Sequence, residues 1–259
     1  MKLKHLWLVA IAGGVATPAL ADFMEDWDHP YKWDQMQPDL EWAAPSFYDD
    51  LPFVVEAITA DDWLCTETSF LTDVHFVGFS LYGNFWIDHF RLTIYDDVPA
   101  IPGVDESHPG EVLWTYDAFD WVADEVTYFD YGLTLYDINL PEPDWWLQQG
   151  TPDEPVIYWI GIQGIMSTDA GYTDEWYWSF RDRYLPTNLD DAAFWSDYYG
   201  APPWANWGWP DDTMPAFFDG PFPPDWWKSA DMAFGLTFIP APASIALLGL
   251  GGLITIRRR

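Results

Sequence analysis

The chain has 259 residues, with 42 Asp and Glu against 10 Lys and Arg, giving a formal net charge of −32. That balance repels nucleic acid and anionic lipid, which excludes both as partners of the body of the protein. A single cysteine excludes an intrachain disulfide, while 19 tryptophans give a large supply of rings to bury or display.

At the start of the chain, Lys2 and Lys4 precede an apolar core from Leu6 to Val15. Ala19-Leu20-Ala21 follows as a small-x-small cleavage site, so residues 1–21 read as a signal peptide cut between Ala21 and Asp22. The chain is therefore expected to be exported. Residues 22–53 are rich in proline and aromatics without a period, and read as an extended N-terminal arm.

From Val54 the pattern turns to strands. Thr72 to Tyr82 is a long β-prone run closed by Gly83-Asn84, a turn signal. Asp88 to Tyr95 alternates, with Phe90, Leu92 and Ile94 on one face and His89, Arg91, Thr93 and Tyr95 on the other. His108-Pro109-Gly110 reads as a turn before a strand at Glu111 to Tyr116. Further strands are expected at Tyr131 to Ile138, Val156 to Ile162, Glu175 to Arg181 and Ala192 to Trp195. Met232 to Phe238 alternates again, with Met232, Phe234, Leu236 and Phe238 facing inward. Cys65 reads as a small buried apolar residue among acidic neighbours that would not activate a thiol. About nine short strands with Pro, Gly and Asp turns make residues 54–238 an all-β domain, an antiparallel, jelly-roll-like sandwich.

Catalytic signatures are absent from the sequence: there is no His-Glu-x-x-His spacing and no Gly-x-Ser-x-Gly elbow. A glycosidase needs two carboxylates about 5–9 Å apart, and 42 acids satisfy that by chance. The suggestive stretch is residues 200–227, where Trp204, Trp207, Trp209, Trp226 and Trp227 stand among seven prolines. A loop of this length is functional or disordered more often than it is a plain connection. Aromatic planes can stack on the apolar faces of sugar rings, so these five residues are the candidate carbohydrate-binding surface. Trp145 and Trp146 form a smaller candidate of the same kind.

The chain ends in Ile239-Pro240-Ala241-Pro242, an apolar run from Ala243 to Ile256, and Arg257-Arg258-Arg259. As a helix the run would be about 21 Å long against roughly 30 Å of bilayer hydrocarbon. The terminal arginines would hold the cytoplasmic side. The order Pro-x-Pro, apolar helix, arginine cluster resembles the PEP-CTERM sorting signal of bacterial exported proteins. Ala241 stands where that signal has Glu. The resemblance implies handling by an exosortase, with transient or permanent membrane insertion of the tail. The destination it implies is the cell envelope, cell surface or extracellular matrix of a bacterium.

A second set of residues falls in order: Trp33, Gln37-Pro38-Asp39-Leu40, Ala60 to Cys65, Thr72 to Phe76, Pro109 to Trp114, Trp176-Tyr177-Trp178 and Asp190 to Phe194. These resemble an uncharacterised, tryptophan-rich secreted bacterial domain, over about residues 31–238. The resemblance implies an all-β exported domain without an assigned activity, and it makes Asp61 and Asp62 the first candidates for a structural calcium. The expected function is non-catalytic binding or organising of extracellular polysaccharide. The alternatives are a purely structural or adhesive protein and a secreted glycoside hydrolase.

Overall fold

A computed structural model of the chain describes residues 31–36, 38–49, 55–80, 87–101, 107–128, 131–167, 175–181, 193–196 and 231–241. The expected signal peptide, the 200–227 loop and the tail from Pro242 lie outside the described residues. Among the described residues no helix is long and apolar enough to cross a membrane.

The described residues form fifteen strands: β1 (Tyr31–Asp34), β2 (Pro38–Pro45), β3 (Phe47–Asp49), β4 (Val55–Cys65), β5 (Ser69–Ser80), β6 (Ile87–Val98), β7 (His108–Ala118), β8 (Val122–Tyr128), β9 (Tyr131–Asn139), β10 (Trp146–Gln148), β11 (Val156–Met166), β12 (Trp176–Arg181), β13 (Ala193–Ser196), β14 (Asp231–Met232) and β15 (Phe234–Pro240). Among the described residues a 3-10 turn covers Glu142–Asp144. One sheet is built on β5, with β15 and β12 along one edge and β9 and β10 along the other. β1, β8, β2 and β14 extend it. The second sheet runs β13-β4-β3-β11-β6-β7, and its pairings are antiparallel except for β3 with β11. The all-β sandwich expected from the sequence is the architecture observed.

Alternation explains the core. On β6, Phe90, Leu92 and Ile94 are fully buried on the inner face, as their spacing predicts. On β14 and β15, Met232, Phe234, Leu236 and Phe238 join the same core. At its centre Phe76, Phe90, Tyr136 and Trp176 meet ring to ring, with centroids 4.8–5.9 Å apart and mostly edge-on. Trp176 is accommodated because two strands next to it carry no side chain: a Cβ on Gly164 would lie 2.8 Å from Trp176 Cβ, and one on Gly78 would meet its indole. Cys65 is buried in this core, as expected, and its thiol donates to the Glu67 carbonyl.

Two expectations are corrected. The stretch read as an N-terminal arm is part of the sandwich from Tyr31 onward, because β1 and β2 pair in one sheet and β3 in the other. Its prolines and aromatics hide the period because β2 and β3 are separated by a crossing between sheets at Ser46. His108-Pro109-Gly110 is the start of β7 and not a turn: Val98 pairs with His108 and Asp97 with Pro109 across register shifts. Pro109 is tolerated in β7, which ends the sheet order among the described residues. Gly110 leaves room for the Asp96 carboxylate, which accepts the Glu111 N–H.

Ser46 is fully buried and bonds both sheets. Its N–H donates to Trp176 O of β12, and its carbonyl accepts from Gly164 N of β11. Its hydroxyl donates to Ile162 O and accepts from Thr59 N. Ser46→Ala strands the Thr59 N–H, so we expect a loss of about 1–3 kcal/mol. Gly164→Ala is expected to cost a similar amount, about 1–3 kcal/mol, by overpacking against Trp176. Denaturant midpoints of the two variants check both values, and unchanged midpoints would contradict this packing.

Candidate functional site

The first sequence-derived candidates fall in β4. Asp61 and Asp62 are consecutive in a strand, so their side chains leave on opposite faces. Each is 1% exposed. The Asp61 carboxylate reaches across to the other sheet, accepting from Met232 N–H (2.7 Å) and Gln35 Nε2 (2.9 Å), and also from Asp62 N–H (2.8 Å). Asp62 stands on the outer face, beside Trp159 in register. Strand geometry sends the two carboxyl groups of this doublet to opposite faces of β4. Among the described residues no group of three or more His, Cys, Asp or Glu side chains is placed to hold a metal ion.

Other acids are also used internally. Asp97 accepts the Trp159 indole N–H at 2.9 Å. The Arg91 guanidinium forks onto Asp117 at 2.7 and 3.3 Å, and this hydrogen bond holds Asp117 below its ordinary carboxylate range.

Trp204, Trp207, Trp209, Trp226 and Trp227 lie outside the described residues, as do Ala21, Asp22, Pro242 and Arg257 to Arg259. Pro240 ends β15 in an exposed position, and the Ala241 N–H donates to Thr68 O.

What the described residues do present is an aromatic edge between the sheets. Trp114 and Tyr116 occupy alternate positions of β7 and so share one face. Their rings lie 9° from parallel with centroids 5.8 Å apart, half-buried against the core. Trp121, in the connection to β8, packs edge-on to Phe90 and Tyr136 and is also half-buried.

From the other sheet, Pro141 leads into the 3-10 turn that delivers Trp145. That indole is oriented by its N–H donating to Leu140 O at 2.8 Å, and its ring lies 6.2 Å from Phe70. Trp146 is clamped edge-on to Tyr158 and Trp63, both part of the core. Asp120, Glu142 and Asp144 of the two connections are exposed. Burial pushes the Tyr116 hydroxyl up, and the charges of Asp144 and Asp120 push it the same way.

The Trp145-Trp146 pair was singled out from the sequence as a smaller candidate. Trp114 and Tyr116 were missed as a surface, although their Trp-x-Tyr spacing in a strand was the signal available. Phe119, Val112, Leu113 and Val122 nearby are 46–63% exposed, so the edge carries an apolar fringe.

Fold and site together define an all-β sandwich domain with an aromatic, acid-rimmed edge. A model of a domain family of unknown function, DUF7901, matches residues 31–237, and the chain belongs to that family. The match begins at β1, in agreement with the corrected start of the sandwich. No curated protein and no solved structure matches the chain.

Asp61 yields a pH prediction. Burial, followed by the charges of Asp231 and Asp62, raises its carboxyl well above the ordinary value, while the Met232 and Asp62 N–H groups pull it down. Arg181 stands opposite Asp231 in register. The folded chain therefore holds this proton more tightly than the unfolded chain. Its contribution to stability is full below the ordinary carboxylate value of about 4 and is lost as pH rises through the raised value. Relative to the parent, Asp61→Asn should gain melting temperature as pH rises above about 4. An offset between the two proteins that does not vary with pH would contradict this.

Proposed function

We propose that this is an exported surface or matrix protein whose sandwich binds extracellular polysaccharide without turning it over. The observation that carries the reading is the parallel, half-buried pair Trp114 and Tyr116 at an open edge. A parallel aromatic pair offers apolar area at low entropic cost, and a sugar ring presents a matching C–H face. Exposed carboxylates at the rim accept hydrogen bonds from hydroxyl groups. Asp61, whose carboxyl is raised, is enclosed between the sheets and does not reach this surface.

The destination rests on the sequence. A signal peptide over residues 1–21 starts export, and the Pro240-Ala241-Pro242 to Arg259 tail is the substrate of an exosortase, with its apolar segment inserted in the membrane before or instead of cleavage. Trp204, Trp207, Trp209, Trp226 and Trp227 are further candidates for sugar contact in this reading.

The exposed Val112, Leu113, Phe119 and Val122 favour one second reading, an adhesive protein that contacts other proteins through the β7–β8 edge. The two separate in a pull-down of the full chain on insoluble glycans, set beside the Trp114→Ala/Tyr116→Ala double variant. Polysaccharide binding predicts retention of the parent, a loss of about tenfold or more in the variant, and a folded variant. A folded parent that no glycan retains would overturn the proposal in favour of adhesion.

A further inference from the structure

Charge narrows the polymer, on the footing of the polysaccharide reading above. Between Arg91 and Arg181 the sequence contains no lysine or arginine, and that interval supplies β7, β8, β9, β10 and the connections that form the aromatic edge. Arg91 itself is forked onto Asp117. Among the described residues, the edge therefore presents no lysine or arginine to a uronate, sulfate or phosphate group apart from the paired Arg91. Asp120, Glu142 and Asp144 are exposed at its rim, on a chain of net charge −32. A polyanionic polysaccharide would meet repulsion at the rim and along its approach.

We infer that the edge takes an amino-sugar polymer with free ammonium groups, its ring faces lying on Trp114 and Tyr116 and its amines beside Asp120 and Asp144. The chemistry is complementary at both levels. Apolar C–H faces meet the two parallel rings, and an ammonium meets both a carboxylate and the negative face of an aromatic ring. The same rings read a neutral sugar only through its C–H face, so the amine supplies the discrimination.

The test is a titration of the full chain in mildly acidic buffer at roughly 0.15 M salt. Three probes are used: a glucosamine hexamer, the fully acetylated hexamer and an oligouronate. We expect the glucosamine hexamer to bind about tenfold tighter than the acetylated one, and the oligouronate not to bind. Asp120→Asn/Asp144→Asn should weaken the glucosamine hexamer by about tenfold and leave the acetylated hexamer unchanged. Asp153→Asn/Glu154→Gln, two exposed acids of another turn, should change neither.

Equal affinity for the two hexamers would overturn the inference and leave polysaccharide binding standing. An equal loss in the Asp153/Glu154 variant would overturn it in favour of unspecific attraction to the acidic body. A lysine-rich peptide that displaces the glucosamine hexamer at lower concentration would overturn it in favour of a protein partner. No binding of any sugar probe would sink the polysaccharide reading itself.

Discussion

The sandwich depends on Ser46. A chain that crosses from one sheet to the other inside the core must satisfy its backbone groups with no water at hand, and each unmet donor or acceptor costs about 1–3 kcal/mol. Ser46 meets that demand with its N–H toward β12, its carbonyl toward β11 and its hydroxyl between β4 and β11. Thr59 reinforces the joint through its own hydroxyl, which donates to Pro45 O at 2.9 Å. Once β2 and β3 are locked on opposite sides, the distance and tilt of the sheets follow, and the space between them is filled by Trp176, Phe76, Phe90 and Tyr136. Gly78 and Gly164 are empty where the Trp176 indole and Cβ need room. Packing of that kind is tight at the centre, and the rings at β7 overhang it.

That overhang is what gives the protein a surface to use. Trp114 and Tyr116 are held on their inner side by the core and left half-open on the other. Their neighbours arrive from connections that are themselves anchored, Trp121 on the central rings and Trp145 on the Leu140 carbonyl. A binding surface built on strands and pinned turns is pre-organised, so little ordering has to occur on contact. The acids divide into two populations with different physics. Asp61, Asp97 and Asp117 are tied to donors inside the fold or across strands, whereas Asp120, Glu142 and Asp144 are exposed and available.

Much of the fold was legible because period-2 burial leaves a direct trace. Phe90, Leu92 and Ile94, and Met232, Phe234, Leu236 and Phe238, recur at every second position in sequence and all join the core. The strands that escaped were those where local rules are broken by a long-range bond. Residues 31–49 look irregular because their pattern changes sheets at Ser46, and Pro109 with Gly110 looks like a turn because the register shift that admits them in β7 is set by Asp96 and Val98 on another strand. The same holds for the acidic doublet: strand alternation sends Asp61 and Asp62 to opposite faces, and the Met232 N–H that holds Asp61 is 171 residues away in the chain. The aromatic edge was half legible. Trp145-Trp146 is conspicuous beside its prolines, but the pairing of Trp114 with Tyr116 as an open face depends on β7 ending the sheet among the described residues.

The central claim is that the polymer lies on the β7 edge, and hydroxyl-radical footprinting of the full chain with and without bound polysaccharide addresses it most directly. Mass spectrometry reads oxidation at each aromatic residue. The account predicts that Trp114, Tyr116 and Trp145 lose reactivity when polymer binds, while the buried Trp63 and Trp176 are unreactive in both states. Protection confined to residues away from this edge, or no protection in a protein that retains the polymer, would contradict it.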